Sequence, residues 1–78
     1  MVDFPGTVSH NDVEKVAVLL GFVWRATTGD HKQYKKEGAR GFPIPTYKEI
    51  TVNGHLFKSM IRSMGITKTM FFRLLAEA

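Results

Sequence analysis

The 78 residues can close one small apolar core but not two, so the chain 1–78 is read as a single domain and two-domain enzymes are excluded. A hydrophobic share of 44% beside 23% charged residues lies in the range of folded proteins and excludes wholesale disorder. Cysteine is absent, which removes disulfides, thiolate metal sites and cysteine nucleophiles together, while 11 Lys and Arg against 7 Asp and Glu leave a formal net charge of +4.

That charge is unevenly placed. The first third is net acidic, with Asp3, Asp12 and Glu14 against Lys15, whereas Arg25, Lys32, Lys35, Lys36, Arg40 and Lys48 meet only Asp30 and Glu37 in the middle third. Such a stretch suits a polyanion such as RNA or DNA, and serves equally well as a solubilising surface. The longest apolar run, Val16 to Trp24 with Gly21 inside it, falls short of the roughly 20 residues that cross a bilayer, so no membrane partner is expected. Met1 to Gly6 has neither a basic n-region nor an apolar h-region, and with the missing cysteines this points to the cytoplasm.

Residues 1–9 read as an irregular N-terminal extension. A helix is predicted over about Asp12 to Leu20, with Asn11 as N-cap and Glu14 three residues on completing a capping box. Val13, Val16, Ala17 and Leu20 form its buried stripe, and Gly21 supplies the left-handed residue that stops it. From Phe22 the period changes to two, as in a strand, and Thr28-Gly29-Asp30 makes the turn. His31 to Lys36 is the second strand. If its one large apolar body, Tyr34, packs inward together with Lys32 and Lys36, then His31, Gln33 and Lys35 share the opposite, open face. Residues 37–41 read as a hairpin loop, and Phe42 to Pro45 as an edge strand, because Pro43 and Pro45 cannot donate to a ladder. After Asn53-Gly54 an amphipathic helix carries Leu56, Phe57, Met60, Ile61 and Met64, with Lys58, Arg62 and Ser63 outside the stripe, and Gly65 ends it. Thr67 caps a last short helix with Met70, Phe71, Leu74 and Leu75. The expected fold is α+β: a small three-stranded antiparallel sheet with helices on one face, in the order α-β-β-β-α plus an extra short C-terminal helix.

Few residues can carry chemistry. His10 and His55 sit at helix starts and read as surface or capping residues, whereas His31 follows a glycine turn and is surrounded in sequence by lysines. No His-x-x-x-His pair or carboxylate cluster is present, so neither a metal nor any other cofactor is expected. P-loop, Gly-x-Ser-x-Gly and Gly-x-Gly-x-x-Gly patterns are missing as well. A single imidazole among lysines suits phosphodiester cleavage of RNA, where the substrate brings its own nucleophile. A ribose 2′-hydroxyl attacks the neighbouring phosphate once a base takes its proton and cations meet the growing phosphoryl charge. Trp24, Phe42, Phe57, Phe71 and Phe72 are assigned to the core rather than to base stacking, and Tyr34 with them.

Leu19-Leu20-Gly21-Phe22 and Thr28-Gly29-Asp30-His31-Lys32-Gln33-Tyr34 are the first of several blocks that, in order and spacing, resemble the HicA (YcfA-like) family of small mRNA-cleaving toxins, the first similar to its Leu-x-x-Gly-Phe and the second to its Gly-Ser-His-His-x-Phe block. Phe42-Pro43-Ile44-Pro45 with Lys48-Glu49-Ile50 resembles the Val-Pro edge strand and Lys-Glu-Leu, and Gly54-His55-Leu56 through Ile61 to Met64-Gly65-Ile66 follows the family's closing run. The chain departs from the pattern at Asp30, at Thr46 with Tyr47, and at His55. The resemblance implies a double-stranded-RNA-binding-like fold, a metal-free endoribonuclease (mRNA interferase), mRNA as substrate and a HicB-like antitoxin as protein partner. It puts His31 on the catalytic histidine. Gly29, Asp30 and Gln33 then support it, and Lys32, Lys35, Lys36, Arg25, Arg40 and Lys48 are the candidate RNA contacts. Two other readings use the same residues: a non-catalytic RNA- or DNA-binding module, and a protein-interaction domain with a basic face for an acidic partner.

Overall fold

The computed structural model describes residues 4–78. Its elements are β1 (Thr7–Val8), α1 (His10–Leu19), β2 (Val23–Thr28), β3 (His31–Lys35), β4 (Phe42–Pro45), β5 (Ile50–Thr51), α2 (His55–Met64) and α3 (Lys68–Glu77). Together they make a small α+β fold of three helices and a three-stranded antiparallel sheet ordered β2-β3-β4, with β1 and β5 forming a separate antiparallel pair. Of the stretch expected to be irregular, residues 1–3 lie outside the described residues. Thr7 and Val8 instead pair with Thr51 and Ile50, because Val8 is apolar and buries itself in the core.

The first helix begins two residues earlier than the Asn11 cap predicts. Ser9 is the N-cap: its hydroxyl accepts from Asp12 N at 3.2 Å, and the Asp12 carboxylate accepts from Ser9 N at 3.3 Å. This reciprocal box satisfies two otherwise orphaned amides, which Asn11, inside the first turn, cannot do. The end follows the sequence expectation. Gly21 sits at φ +92°, Gly21 N donates to Val18 O, and Phe22 N donates to Ala17 O at 2.9 Å, a Schellman arrangement that turns the chain into the sheet.

Pairing of β2 with β3 slips by one residue at Arg25, since Trp24 faces Tyr34 while Ala26 already faces Gln33. That bulge breaks the simple alternation predicted for the strand. On one face of the sheet Tyr34, Phe42 and Ile44 are buried beneath the helices. The core they enter also holds Val13, Val16 and Ala17 of α1, Phe57, Met60 and Met64 of α2, and Phe71 of α3. Phe57 meets Phe71 edge to face at 5.0 Å, so α3 is keyed into the centre of the molecule rather than laid over it. Trp24, assigned to the core by sequence, is instead 52% exposed. β2 is an edge strand, and all six of its residues are exposed. Among the described residues no helix is long and apolar enough to cross a membrane.

Candidate functional site

The face of the sheet away from the helices carries the candidate residues. Gly29 at φ +58° takes the first central position of the two-residue β2–β3 turn, where a type II′ hairpin requires a positive φ, and the strand that follows opens with His31. Register then decides the neighbours. His31 pairs with Thr28 on one side and Pro45 on the other, Gln33 with Ala26 and Pro43, and Lys35 with Val23; Thr28, Ala26, Val23, Pro43 and Lys35 are exposed, His31 and Gln33 half-buried, and Pro45 alone of this set is buried. His31 is partly exposed. Its ring meets Tyr47 edge to face at 5.8 Å, and Lys48 Nζ lies 5.4 Å from the centre of the same tyrosine ring. The backbone beneath is pinned across strands, because Thr46 donates to the Asp30 carbonyl from both its amide, at 2.8 Å, and its hydroxyl, at 3.1 Å. Asp30 thereby sets the turn through its main chain.

The basic residues are sorted by the fold into separate groups. Lys35 is on the His31 face and shares an open groove of about 480 Å³ with Val23, Arg25 and Lys36. Lys36 Nζ also donates to the Leu20 carbonyl at 2.7 Å, where it meets the negative end of α1. Arg40 lies in the β3–β4 hairpin loop and lines a different cleft. Lys32 is on the opposite face altogether: its Nζ is 3.0 Å from Glu14 Oε1 and 4.5 Å from the centre of the Trp24 ring. Register therefore puts Gln33 and Lys35 on the His31 side of β3, Tyr47 lies between His31 and Lys48, and Lys32 is turned to the other side. Period-two alternation already carried that signal, since Lys32 shares a face with inward-pointing Tyr34.

Lys32 belongs to a cluster that sequence reasoning missed. The Glu14 side chain, 11% exposed, accepts from the Tyr34 hydroxyl at 2.5 Å and from Lys32, and pairs with His10 Nδ1 at 2.6 Å. Burial works against its charge, but hydrogen bonds to Tyr34, His10 and Lys32, with the lysine's own charge, outweigh it and hold the carboxyl below its ordinary value. The same contact pushes Tyr34 the other way, since burial and then the adjacent carboxylate drive its hydroxyl far above the usual phenol value. The visible hint was only the His10–Glu14 spacing of four along a helix. This cluster lies under the sheet and locks α1 to β3. Among the described residues, no group of three or more His, Asp and Glu side chains is placed to hold a metal ion.

Sequence and structure together define an open, basic sheet face with one imidazole at its end, and no family model, curated protein or solved structure matches the chain.

Proposed function

We propose that the chain is a metal-independent endoribonuclease of the HicA type, which cleaves mRNA in the cytoplasm with His31 as general acid and base and is held in check by a HicB-like antitoxin. The order α1-β2-β3-β4-α2, closed by α3, supports a double-stranded-RNA-binding-like topology. One observation carries the reading: His31 stands partly exposed at the start of β3, with Gln33 and Lys35 following it on the side of the strand opposite buried Tyr34. The reaction asks for little more. The 2′-hydroxyl gives its proton to the imidazole and attacks the adjacent phosphorus, the P–O bond to the next nucleoside breaks, and the imidazolium returns the proton to the departing oxygen. A cyclic phosphate and a free hydroxyl result. Lys48, against the same Tyr47 ring as His31, supplies positive charge for the phosphoryl oxygens, and Lys35 with Arg25, further along the sheet, meets neighbouring phosphates. The exposed Val23 and Trp24 on edge strand β2 offer the antitoxin an apolar foothold.

Controlled expression of wild type and His31→Ala tests this through growth and transcript integrity. The wild type is expected to arrest growth with cleaved transcripts. His31→Ala should lower cleavage of purified RNA about 10²- to 10⁴-fold while leaving the thermal midpoint unchanged, because the ring packs only at the surface. Equal cleavage by the two proteins, or none by either, sinks the nuclease reading. The alternative is a non-catalytic RNA- or DNA-binding module, in which His31 serves only as a hydrogen-bond donor. It expects both proteins to bind RNA with one salt dependence and neither to turn it over.

A further inference from the structure

The β3–β4 hairpin and α2 line a second basic cleft, separate from His31. Arg40 and Phe42 with Pro43 line one wall of a largely polar cleft of about 420 Å³, and Ser59, Arg62 and Ser63 line the other. The α2 wall follows from helix spacing. Ser59, Arg62 and Ser63 fall at i, i+3 and i+4, off the buried stripe of Phe57, Met60 and Met64, and they line the cleft together with Arg40 to Pro43 of the hairpin. No carboxylate lines the cleft, and among the described residues neither arginine is ion-paired. Two arginines and two serines lining one cleft without a counter-charge suit a tetrahedral oxyanion, since each guanidinium offers parallel N–H donors and each serine one more.

We propose that this cleft binds a phosphate group, and that its occupant is a phosphodiester of the same RNA whose neighbouring phosphate reaches His31; the second half rests on the nuclease reading above. Continuity along the sheet favours RNA over a free phosphate. Pro43, at the mouth of the cleft, is the register partner of Gln33, which is two residues along β3 from His31. Strand geometry puts Pro43 roughly 8 Å from His31 along the sheet, a separation that one nucleotide chain crossing edge strand β4 can bridge.

Two measurements test it, each on wild type, Arg62→Gln, Arg62→Lys and His31→Ala, with circular dichroism to verify folding. First, the affinity for a short single-stranded RNA is followed as salt is raised. Arg62→Gln should weaken binding roughly tenfold and flatten the slope of log K against log salt by about 0.7, one lost phosphate contact, while Arg62→Lys recovers the slope but not the full affinity. Unchanged affinity and slope in Arg62→Gln overturn the proposal. Second, inorganic phosphate is titrated while amide resonances are recorded. Shifts centred on Arg40, Gly41, Ser59, Arg62 and Ser63 that are lost in Arg62→Gln support a phosphate site, and no shift there overturns it. Should His31→Ala cleave like wild type while Arg62→Gln still flattens the slope, the catalytic assignment falls and the cleft stands. Should wild type bind no RNA yet show the phosphate shifts, RNA is overturned as the occupant.

Discussion

Glu14 shows how much one buried carboxylate can settle. It accepts from Tyr34 and Lys32 and pairs with His10, and so ties the middle of α1 to β3 while Lys36 ties its end. Replacing it by Gln leaves Lys32 half-buried opposite a neutral amide and should cost about 2 kcal/mol at neutral pH, read as a drop in the urea midpoint. The pH dependence follows from the direction of its shift. The folded carboxyl lies below its ordinary value of 4.5, so the unfolded chain takes up the proton first as pH falls. The stabilisation is complete above that ordinary value and drains away as pH drops through the lowered, folded one. Urea midpoints measured across this interval should fall more steeply for the wild type than for Glu14→Gln; parallel curves would contradict the assignment. His31 differs from Glu14 in kind, since its ring is packed against Tyr47 at the surface and is free to meet a ligand.

Among the elements, α1 and β2 separate local from distant causes. The N-cap of α1 is a local contest between Ser9 and Asn11, won by the residue that can exchange bonds with Asp12. Ser9→Ala should therefore cost about 1 kcal/mol in thermal or chemical unfolding, and Asn11→Ala only a few tenths. An equal loss from both would mean that the cap is misassigned. β2 is decided from further away. Its alternation predicts a buried Trp24, yet the bulge at Arg25 and the edge position leave Val23 at 49% and Trp24 at 52% exposure. The indole stays ordered because Nε1 donates to Ala26 O and to Thr27 Oγ1. Its fluorescence, the only tryptophan signal in the chain, should be quenched readily by acrylamide in the native state, with a shielded response excluding this geometry.

For the whole molecule, the aromatic cluster of Phe57, Phe71 and Phe72 joins α2 to α3, and Phe71 is wholly buried. A domain of this size carries about 4–12 kcal/mol of total stability, and truncating a buried phenylalanine removes about 3–5 kcal/mol. Phe71→Ala should thus sacrifice a large part of the fold's margin, visible as loss of near-ultraviolet dichroism at moderate temperature. A change of a degree or two would instead show α3 to be an appendage.

Much of this architecture was legible in the chain. The apolar spacing of Val13, Val16 and Ala17, the run Phe57, Met60 and Met64, the stops at Gly21 and Gly65, the cap at Thr67, and the opposition of Tyr34 to His31 across one strand all depend on neighbours within a few residues, and local periodicity determines them. Tertiary structure decided the rest: that Lys32 turns to Glu14 and Trp24, that Val8 joins Ile50, that a bulge exposes the indole, and that Arg40 and Arg62 line one cleft. Each of those outcomes is set by segments far apart in the chain competing for the same space and the same charge, and no local spacing contains that information.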